Sequence, residues 1–281
     1  MYYYILDPTH VPQKQFERQQ AELHTLLTEF KINGESARVT PLRLIQDLVD
    51  IAASRGASTL IACGTDETFH QMLVALKGRE FTLGFVPFVP KTQLGRILGL
   101  NDIPTCAKTI ASRRIERLDL ARLNDSYFIS YLEIGIATET NKDLGLFSSI
   151  RLFAGTPMEI EMRIDDSYTI GSKMMGALIV NTRGTQTDAD GKIGNHQDGF
   201  LDLLIVEQLG KFSAAKHKNS IVNGTYENIP NSTVIRCQKI EILRPTGLKI
   251  YMDGKETARA PATVEIIPNR LKMIVGKKRT F

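Results

Sequence analysis

Hydrophobic and polar positions follow one pattern in the first part of the chain and another from about Arg113, where Ile115, Leu118, Leu120 and Leu123 are spaced for strands. In the first part, short apolar runs at residues 2–6, 60–63 and 81–86 are separated by stretches in which apolar residues recur every three or four positions. The short runs predict buried strands, and the spacing between them predicts amphipathic helices. Strands that alternate with helices are typical of a parallel sheet covered by helices, so we expect an α/β domain here.

The predicted helices of this first part have recognisable boundaries. One covers residues 12–30 and has an apolar stripe that includes Phe16 and Phe30. A second is expected from Thr40-Pro41, because threonine is a common N-cap and proline is favoured at the first helical position. Its apolar positions run from Leu42 and stop before Gly56.

After residue 123 the apolar runs are short, rich in β-branched residues and separated by Gly, Pro, Asn and Asp. They lie at residues 127–134, 177–180, 200–206, 234–243, 248–252, 263–267 and 271–275. This pattern is typical of an antiparallel β-sandwich, with helical spacing only at residues 143–153. We therefore predict an α/β domain over residues 1–123 and a mostly β domain over residues 124–281.

Composition and charge narrow the classes of function. The chain has 281 residues, 42% of them hydrophobic and 23% charged, and a net charge of +4, which does not favour nucleic acid as a partner. Its three cysteines are far apart and lack metal-ligand spacing, which indicates reduced thiols. Without a signal-peptide pattern or an apolar run of about 18–20 residues, the expected location is the cytoplasm, at most peripheral to a membrane through basic residues such as Lys277-Lys278-Arg279.

One stretch combines a strand, a polar turn and a helix, the arrangement that directs backbone N–H groups at an anion. Its turn is Gly64-Thr65-Asp66-Glu67-Thr68, and it resembles the Gly-Gly-Asp-Gly-Thr nucleotide-binding loop shared by diacylglycerol kinases, related lipid kinases and NAD kinases. The resemblance implies that Gly64, Thr65, Asp66 and Thr68 bind ATP and that Asp66 holds Mg²⁺. The residues alone equally fit a turn and a helix N-cap at Asp66 and Thr68. Glu67 replaces a loop glycine and adds a negative charge that opposes phosphate binding.

A second segment lies where these kinases have Pro-x-Gly-Thr-Gly-Asn-Asp. Here Pro87 is followed by Phe88-Val89-Pro90-Lys91-Thr92-Gln93, without the glycines. The resemblance makes Lys91 and Thr92 candidate nucleotide-binding residues, although Lys91 also fits a solvated loop lysine. An early Asn-Pro segment of the family corresponds to Asp7-Pro8, which adds a further negative charge.

The β domain carries the segment Asp198-Gly199-Phe200-Leu201-Asp202, which resembles the Asp-Gly-x-Leu-Asp strand start of bacterial YegS-like lipid kinases. The resemblance implies a Mg²⁺ site formed by Asp198 and the backbone carbonyls of Asn195 and Phe200. An ordinary Asp-Gly turn explains Asp198 equally well, and Asp202 has the position of a strand-edge partner.

The general base that the resemblance implies is altered. The family has Asp-Gly-Glu near its end, whereas this chain has Asp253-Gly254-Lys255, and a charged ammonium cannot accept a proton. Glu256 is the nearest carboxylate that can substitute as a catalytic base. Gly135-Ile136-Ala137-Thr138 lacks the aspartate of the family segment Gly-Phe-Asp-Ala.

These motifs follow the family's order over nearly the whole chain, and the resemblance further implies that the final segment packs on the first domain. They leave two hypotheses for function. One is an ATP- and Mg²⁺-dependent kinase that phosphorylates a lipid hydroxyl, such as that of diacylglycerol, in a cleft between the domains. The other is a catalytically impaired pseudokinase that binds a lipid, another small ligand or a protein. The substitutions argue against both ATP and Mg²⁺, and the sequence does not set the oligomeric state.

Overall fold

The computed structural model describes residues 1–135, 157–182, 194–207, 209, 211–217, 219–220, 226–252 and 255–279. The helical spacing at residues 143–153, the positions 136–138 and the turn residues 253–254 lie outside this described part. The described residues form two compact units, one with residues 1–119 and 269–279 and one with those between 120 and 268.

The first unit is an α/β structure. Its elements are β1 (Tyr2–Leu6), α1 (Gln13–Glu29), β2 (Gly34–Arg38), α2 (Ile45–Ser54), β3 (Thr59–Gly64), α3 (Asp66–Ala75), β4 (Thr82–Pro87), α4 (Gln93–Leu98) and α5 (Ile103–Ser112). The strands form a parallel sheet in the order β4-β3-β1-β2. Lys272 and Met273, near the end of the final strand of the chain, pair in parallel with β4. The predicted α/β class with a parallel sheet is confirmed.

Strands β1, β3 and β4 were predictable because they are buried almost throughout and therefore consist of apolar runs. The edge strand β2 has the sequence Gly-Glu-Ser-Ala-Arg and is largely exposed. Such a strand carries no hydrophobic signal, so the pattern allows a strand between α1 and α2 but does not locate it.

The predicted start of α2 is wrong. Thr40 and Arg43 exchange backbone hydrogen bonds in a tight turn, and Leu42 is 97% exposed. The helix begins at Ile45, and the carboxylate of Asp47 accepts the N–H of Leu44 at 2.8 Å. The acidic residue at the third helical position thus satisfies the backbone N–H of the N-cap residue Leu44, and the helix starts here without a threonine N-cap.

Helix α5 was not predicted, although its N-terminal signal is present. Asp102 is the N-cap and accepts the N–H of Thr105 at 2.8 Å, and Pro104 lies in the first turn. The buried face of this helix includes Ile103, Cys106 and Ile110. The helix has only ten residues, which leaves few apolar positions to produce a periodic signal.

The second unit is built mainly from antiparallel strands. They are β5 (Ile115–Leu123), β6 (Ser126–Phe128), β7 (Tyr131–Ile134), β8 (Met158–Ile164), β9 (Tyr168–Val180), β10 (Leu201–Glu207), β11 (Ser232–Cys237), β12 (Lys239–Arg244), β13 (Lys249–Met252), β14 (Lys255–Arg259) and β15 (Ala262–Ile274), with a short helix α6 (Lys211–Lys216). Strands β5 and β15 are each divided between the two units.

Neighbours in the order β14-β13-β7-β9-β8-β12-β15 all run antiparallel, as do β10 with β9 and β11. The antiparallel second part predicted from the short β-branched runs is confirmed. Two runs expected as separate strands, residues 263–267 and 271–275, belong largely to the single long strand β15.

Candidate functional site

The carboxyl ends of β1 and β3 bring Asp7 next to the loop that was predicted to bind nucleotide. The N–H of Asp7 donates to the carbonyl of Cys63 at 2.9 Å, which continues the parallel pairing one residue beyond the end of β1. Asp7 is only 4% exposed, and its Oδ1 accepts the N–H of Thr9 at 2.9 Å. A buried carboxylate of this kind needs donors around it, and the loop supplies another.

Thr68 supplies that donor. Its hydroxyl donates to Oδ2 of Asp7 at 2.7 Å and accepts the N–H of Thr65 at 3.0 Å. The N–H of Thr68 in turn donates to Oγ1 of Thr65 at 3.4 Å, so that Thr65 is the N-cap of α3 and Thr68 its third helical residue. Thr68 is fully buried. The Thr68 hydroxyl therefore donates its hydrogen bond to Asp7 within the protein and not to a bound ligand.

Gly64 is required by this arrangement. A Cβ atom at Gly64 would lie 2.3 Å from Oγ1 of Thr68, much closer than side chains pack. The retained glycine of the loop thus makes room for the Thr68 hydroxyl.

Asp66 is the first residue of α3, and its carboxylate reaches the start of α4. Oδ2 accepts the N–H of Gln93 at 2.8 Å, and Oδ1 accepts the N–H of Leu94 at 3.0 Å. Thr92 is the N-cap residue of α4 and is buried, but its side chain accepts no capping hydrogen bond. Asp66 therefore satisfies the N–H groups at the beginning of α4, where an anion would otherwise be favoured.

Glu67 lies in the first turn of α3 and is partly buried. Its Oε1 accepts a hydrogen bond from Nε2 of Gln71 at 3.1 Å, one turn further along the helix. A carboxylate in the first helical turn is favourable for the helix dipole, so the residue that opposes phosphate binding stabilises α3.

Lys91 is exposed and has a left-handed backbone with φ of 61°. This conformation is normally taken by glycine and costs other residues roughly 1–2 kcal/mol. The backbone at Lys91 thus retains a shape suited to glycine, although the glycine itself has been replaced.

A cavity of about 570 Å³ borders the loop after β4 within the first unit. Lys14 and Arg18 line it from α1, Pro90 lines it from the loop, and Asp102 lines it near α5. Its size suits a small ligand. The sequence contains a signal for the basic pair, because Lys14 and Arg18 are four residues apart on a helix and so share one face.

The candidate catalytic base Glu256 is on β14, next to Lys255, which lies where the resemblance places the base. Lys255 begins the strand and is exposed. Glu256 accepts a hydrogen bond from Nε of Arg259 at 2.6 Å and pairs with Nζ of Lys249 at 3.0 Å. Arg259, followed by Lys249, lowers the pKa of the Glu256 carboxyl below its usual value. A lowered pKa makes Glu256 a weaker proton acceptor.

The predicted Mg²⁺ ligands lie close together at the turn before β10, beside an arginine. Oδ1 of Asp198 accepts the N–H of Phe200 at 3.0 Å, and the carbonyl of Asn195 accepts the N–H of Asp198 at 3.4 Å. Nη2 of Arg236 is 3.4 Å from Oδ2 of Asp198. A guanidinium in this position repels a divalent cation, so the described residues do not fit a Mg²⁺ site here. Among the described residues there is also no group of three His, Cys, Asp or Glu suited to a metal.

Sequence reasoning gave no functional role to Asp7 or Arg236, although both contact predicted site residues. The sequence alone shows Asp7 only as an added negative charge. Arg236 is 38 positions from Asp198 and reaches it because β11 pairs with β10, so no local spacing indicates the contact.

No helix in the described part of the chain is long and apolar enough to cross a membrane.

These features define a fold of the diacylglycerol-kinase-like class, with a parallel α/β part followed by antiparallel strands. Residues 148–275 match the YegS C-terminal NAD kinase beta sandwich-like domain. A solved structure of a diacylglycerol kinase from Bacillus anthracis (strain Sterne) superposes with a TM-score of 0.78, covers 98% of this chain and 97% of its own, and is 19% identical. This likeness establishes the fold.

Curated relatives point to the same class. The diacylglycerol kinase of Bacillus subtilis (strain 168) is 20% identical over 81% of this chain and 81% of its own length. The diacylglycerol kinase of Staphylococcus saprophyticus is 24% identical over 72% of each. The resemblance drawn from the motifs is confirmed, and the chain is lipid-kinase-like.

Proposed function

We propose that this lipid-kinase-like protein has lost most or all phosphoryl transfer and acts by binding a lipid or another small ligand. The observation that carries the proposal is the hydrogen bond from Thr68 to the buried carboxylate of Asp7. Through it, the hydroxyl that the family resemblance directs at a phosphate is committed to an internal anion.

The neighbouring groups support the same interpretation. Asp66 accepts the N–H groups of Gln93 and Leu94. With Glu67 in the same helical turn, the loop presents carboxylates where a nucleotide would bring several phosphate charges. Like charges at short range repel one another, and kinases overcome this repulsion with free N–H donors, cations and Mg²⁺.

The base position supports loss of catalysis independently. Lys255 replaces the carboxylate that would accept the proton of the lipid hydroxyl, and Glu256 is held in ion pairs by Arg259 and Lys249. Loss of a general base alone typically costs about 10²- to 10⁴-fold in rate. The substituted base and a loop whose Thr68 hydroxyl is bonded to Asp7 each remove one requirement of phosphoryl transfer.

The second candidate function is an ATP- and Mg²⁺-dependent lipid kinase. The names of the two curated relatives and the retention of Gly64, Asp66 and Thr68 favour it. On this alternative, nucleotide binding would open the Thr68–Asp7 contact and free the loop for phosphate.

Calorimetry with ATP and ADP, with and without Mg²⁺, tests the proposal. We expect no saturable binding at millimolar nucleotide. Micromolar, Mg²⁺-dependent binding that is lost in Asp66→Ala would contradict the proposal that the Thr68–Asp7 hydrogen bond keeps phosphate out of the loop. It would favour the lipid kinase instead. Asp50→Ala is the matched control, because Asp50 is an exposed carboxylate of the same unit that pairs with Arg79.

Lipid transfer is tested separately with radiolabelled ATP and vesicles that contain diacylglycerol. The proposal predicts no phosphorylated lipid above the background of a protein-free control. Binding of the intact protein to the same vesicles would then identify a retained lipid-binding role, whereas binding of neither vesicles nor small lipids would direct the search to protein partners.

A further inference from the structure

Arg236 connects two acidic residues at the start of β10. It lies opposite Asp202 in the antiparallel pairing of β10 with β11. Its Nε is 3.5 Å from Oδ1 of Asp202, and its Nη2 is 3.4 Å from Oδ2 of Asp198. The guanidinium also lies over the ring of Phe200, 5.8 Å from the ring centre. One cation thus serves two carboxylates.

The two carboxylates need such a cation because they are poorly hydrated. The side chain of Asp202 is 5% exposed, and that of Asp198 is 19% exposed. Two negative charges in a region with little water are costly unless a positive charge and hydrogen-bond donors accompany them.

Each of the four carboxylate oxygens has a donor inside the protein. Arg236 contacts one oxygen of each residue, the N–H of Phe200 donates to the other oxygen of Asp198 at 3.0 Å, and the N–H of Gly194 donates to the other oxygen of Asp202 at 2.7 Å. Both charge and hydrogen bonding are therefore provided by the chain itself.

We propose that Arg236 takes the place of a bound divalent cation at this turn, so that the folding of this chain does not depend on Mg²⁺. The motif Asp198-Gly199-Phe200-Leu201-Asp202 retains Asp198, the acidic residue of the cation site that the resemblance implies, and the guanidinium lies between Asp198 and the strand residue Asp202. This proposal does not rest on the proposed function, since it concerns stability and metal binding alone.

Thermal unfolding of the full chain tests the proposal first. The midpoint Tm of the natural protein should be the same in EDTA and in millimolar Mg²⁺, and electron paramagnetic resonance should detect no Mn²⁺ bound at this turn. A Mg²⁺-dependent rise in Tm, or Mn²⁺ binding, that disappears in Asp198→Asn would overturn the proposal. These two measurements test the proposal on the natural protein, without a substitution of Arg236.

Replacement of the arginine provides the second test. Arg236→Gln should lower Tm in EDTA by at least about 2 °C, because two carboxylates then lack their cation. Added Mg²⁺ should recover part of the loss in a saturable way, and Asp198→Asn in the same background should abolish that recovery. Arg236→Lys, which keeps the charge, should remain insensitive to Mg²⁺ and serves as the test if the glutamine variant does not fold.

Arg163→Gln is the matched control. Arg163 also lies opposite an acidic residue in an antiparallel pair, with Nε 3.1 Å from Oε2 of Glu241, and its side chain is 44% exposed, compared with 46% for Arg236. Its removal should give no response to Mg²⁺. An Arg236→Gln protein that is as stable as the natural protein, or that remains indifferent to Mg²⁺, would overturn the proposal.

Discussion

The hydroxyl of Thr68 donates a 2.7 Å hydrogen bond to the carboxylate of Asp7, which lies 61 positions earlier in the chain. This contact joins the end of β1 to the first turn of α3, and both residues are buried. A hydrogen bond to a buried charge contributes more than a neutral one, and its loss leaves the charge with fewer donors. The residue that resembles a phosphate ligand is therefore part of the core of the first unit.

Thr68→Val tests this structural role. Valine has nearly the same shape but no hydroxyl, so the free energy of unfolding should fall by about 1–3 kcal/mol as Asp7 loses a donor and the N–H of Thr65 loses an acceptor. Urea unfolding followed by circular dichroism measures the change. Thr68→Ser keeps the hydroxyl and should lose less. Equal stability of the valine variant and the natural protein would show that the contact contributes little.

Gly64→Ala tests the packing that accompanies this contact. The added methyl group would lie 2.3 Å from Oγ1 of Thr68, so we expect a loss of about 1–3 kcal/mol in the free energy of unfolding from overpacking. Gly171→Ala is the control, because Gly171 is also in a strand but has no atom near its added methyl group. Similar stability of the two variants would mean that Thr68 moves aside at little cost.

Most of the fold could be predicted from the sequence because burial leaves a clear hydrophobic pattern. The strands β1, β3 and β4 are apolar runs, and the apolar positions Ile45 and Leu48 belong to the buried face of α2. Strand β2 was not predictable in this way, because its exposed residues carry no such pattern. The start of α2 was placed incorrectly, because it depends on one hydrogen bond from the N–H of Leu44 to Asp47 and the hydrophobic pattern does not show it.

The candidate site was predictable in its residues but not in its contacts. The loop from Gly64 to Thr68 was identified from its residue types, and the structure places it after β3 at the start of α3. That Asp66 reaches Gln93, 27 positions away, follows only from the parallel pairing of β3 with β4. Long-range hydrogen bonds decide whether such residues are committed to the fold, and no local motif encodes them.

The pKa of Glu256 is expected to lie below its ordinary value, with Arg259 as the main cause and Lys249 as the second. A carboxyl whose pKa is lowered by folding adds stability above its unfolded pKa of about 4.3, and this contribution disappears as the pH falls through the folded pKa. Arg259→Met should therefore raise the pKa of Glu256 and weaken that pH dependence in acid. Carbon-13 NMR of the side-chain carboxyl measures the shift.

Two comparisons make this titration specific. Lys249→Met should raise the pKa of Glu256 by less than Arg259→Met does. Glu80 and Lys272, which lowers the pKa of the Glu80 carboxyl, both belong to the first unit. Glu80 should therefore titrate unchanged in both variants. A Glu256 carboxyl that titrates at its ordinary pKa in the natural protein would contradict the ion pairs with Arg259 and Lys249 in solution.

Lys255→Glu separates the two defects proposed for catalysis. It restores a carboxylate at the position where the resemblance places the general base, on an exposed strand position where folding should not suffer. If the closed loop at Thr68 and Asp66 also blocks nucleotide, the variant should show no phosphoryl transfer to diacylglycerol vesicles, although a restored base would otherwise be expected to increase the rate about 10²- to 10⁴-fold. Lys255→Gln, which removes the charge without adding a base, is the control. Phosphoryl transfer by the glutamate variant but not by the glutamine variant would mean that the loop still binds ATP. The absence of activity in the natural protein would then be due to Lys255.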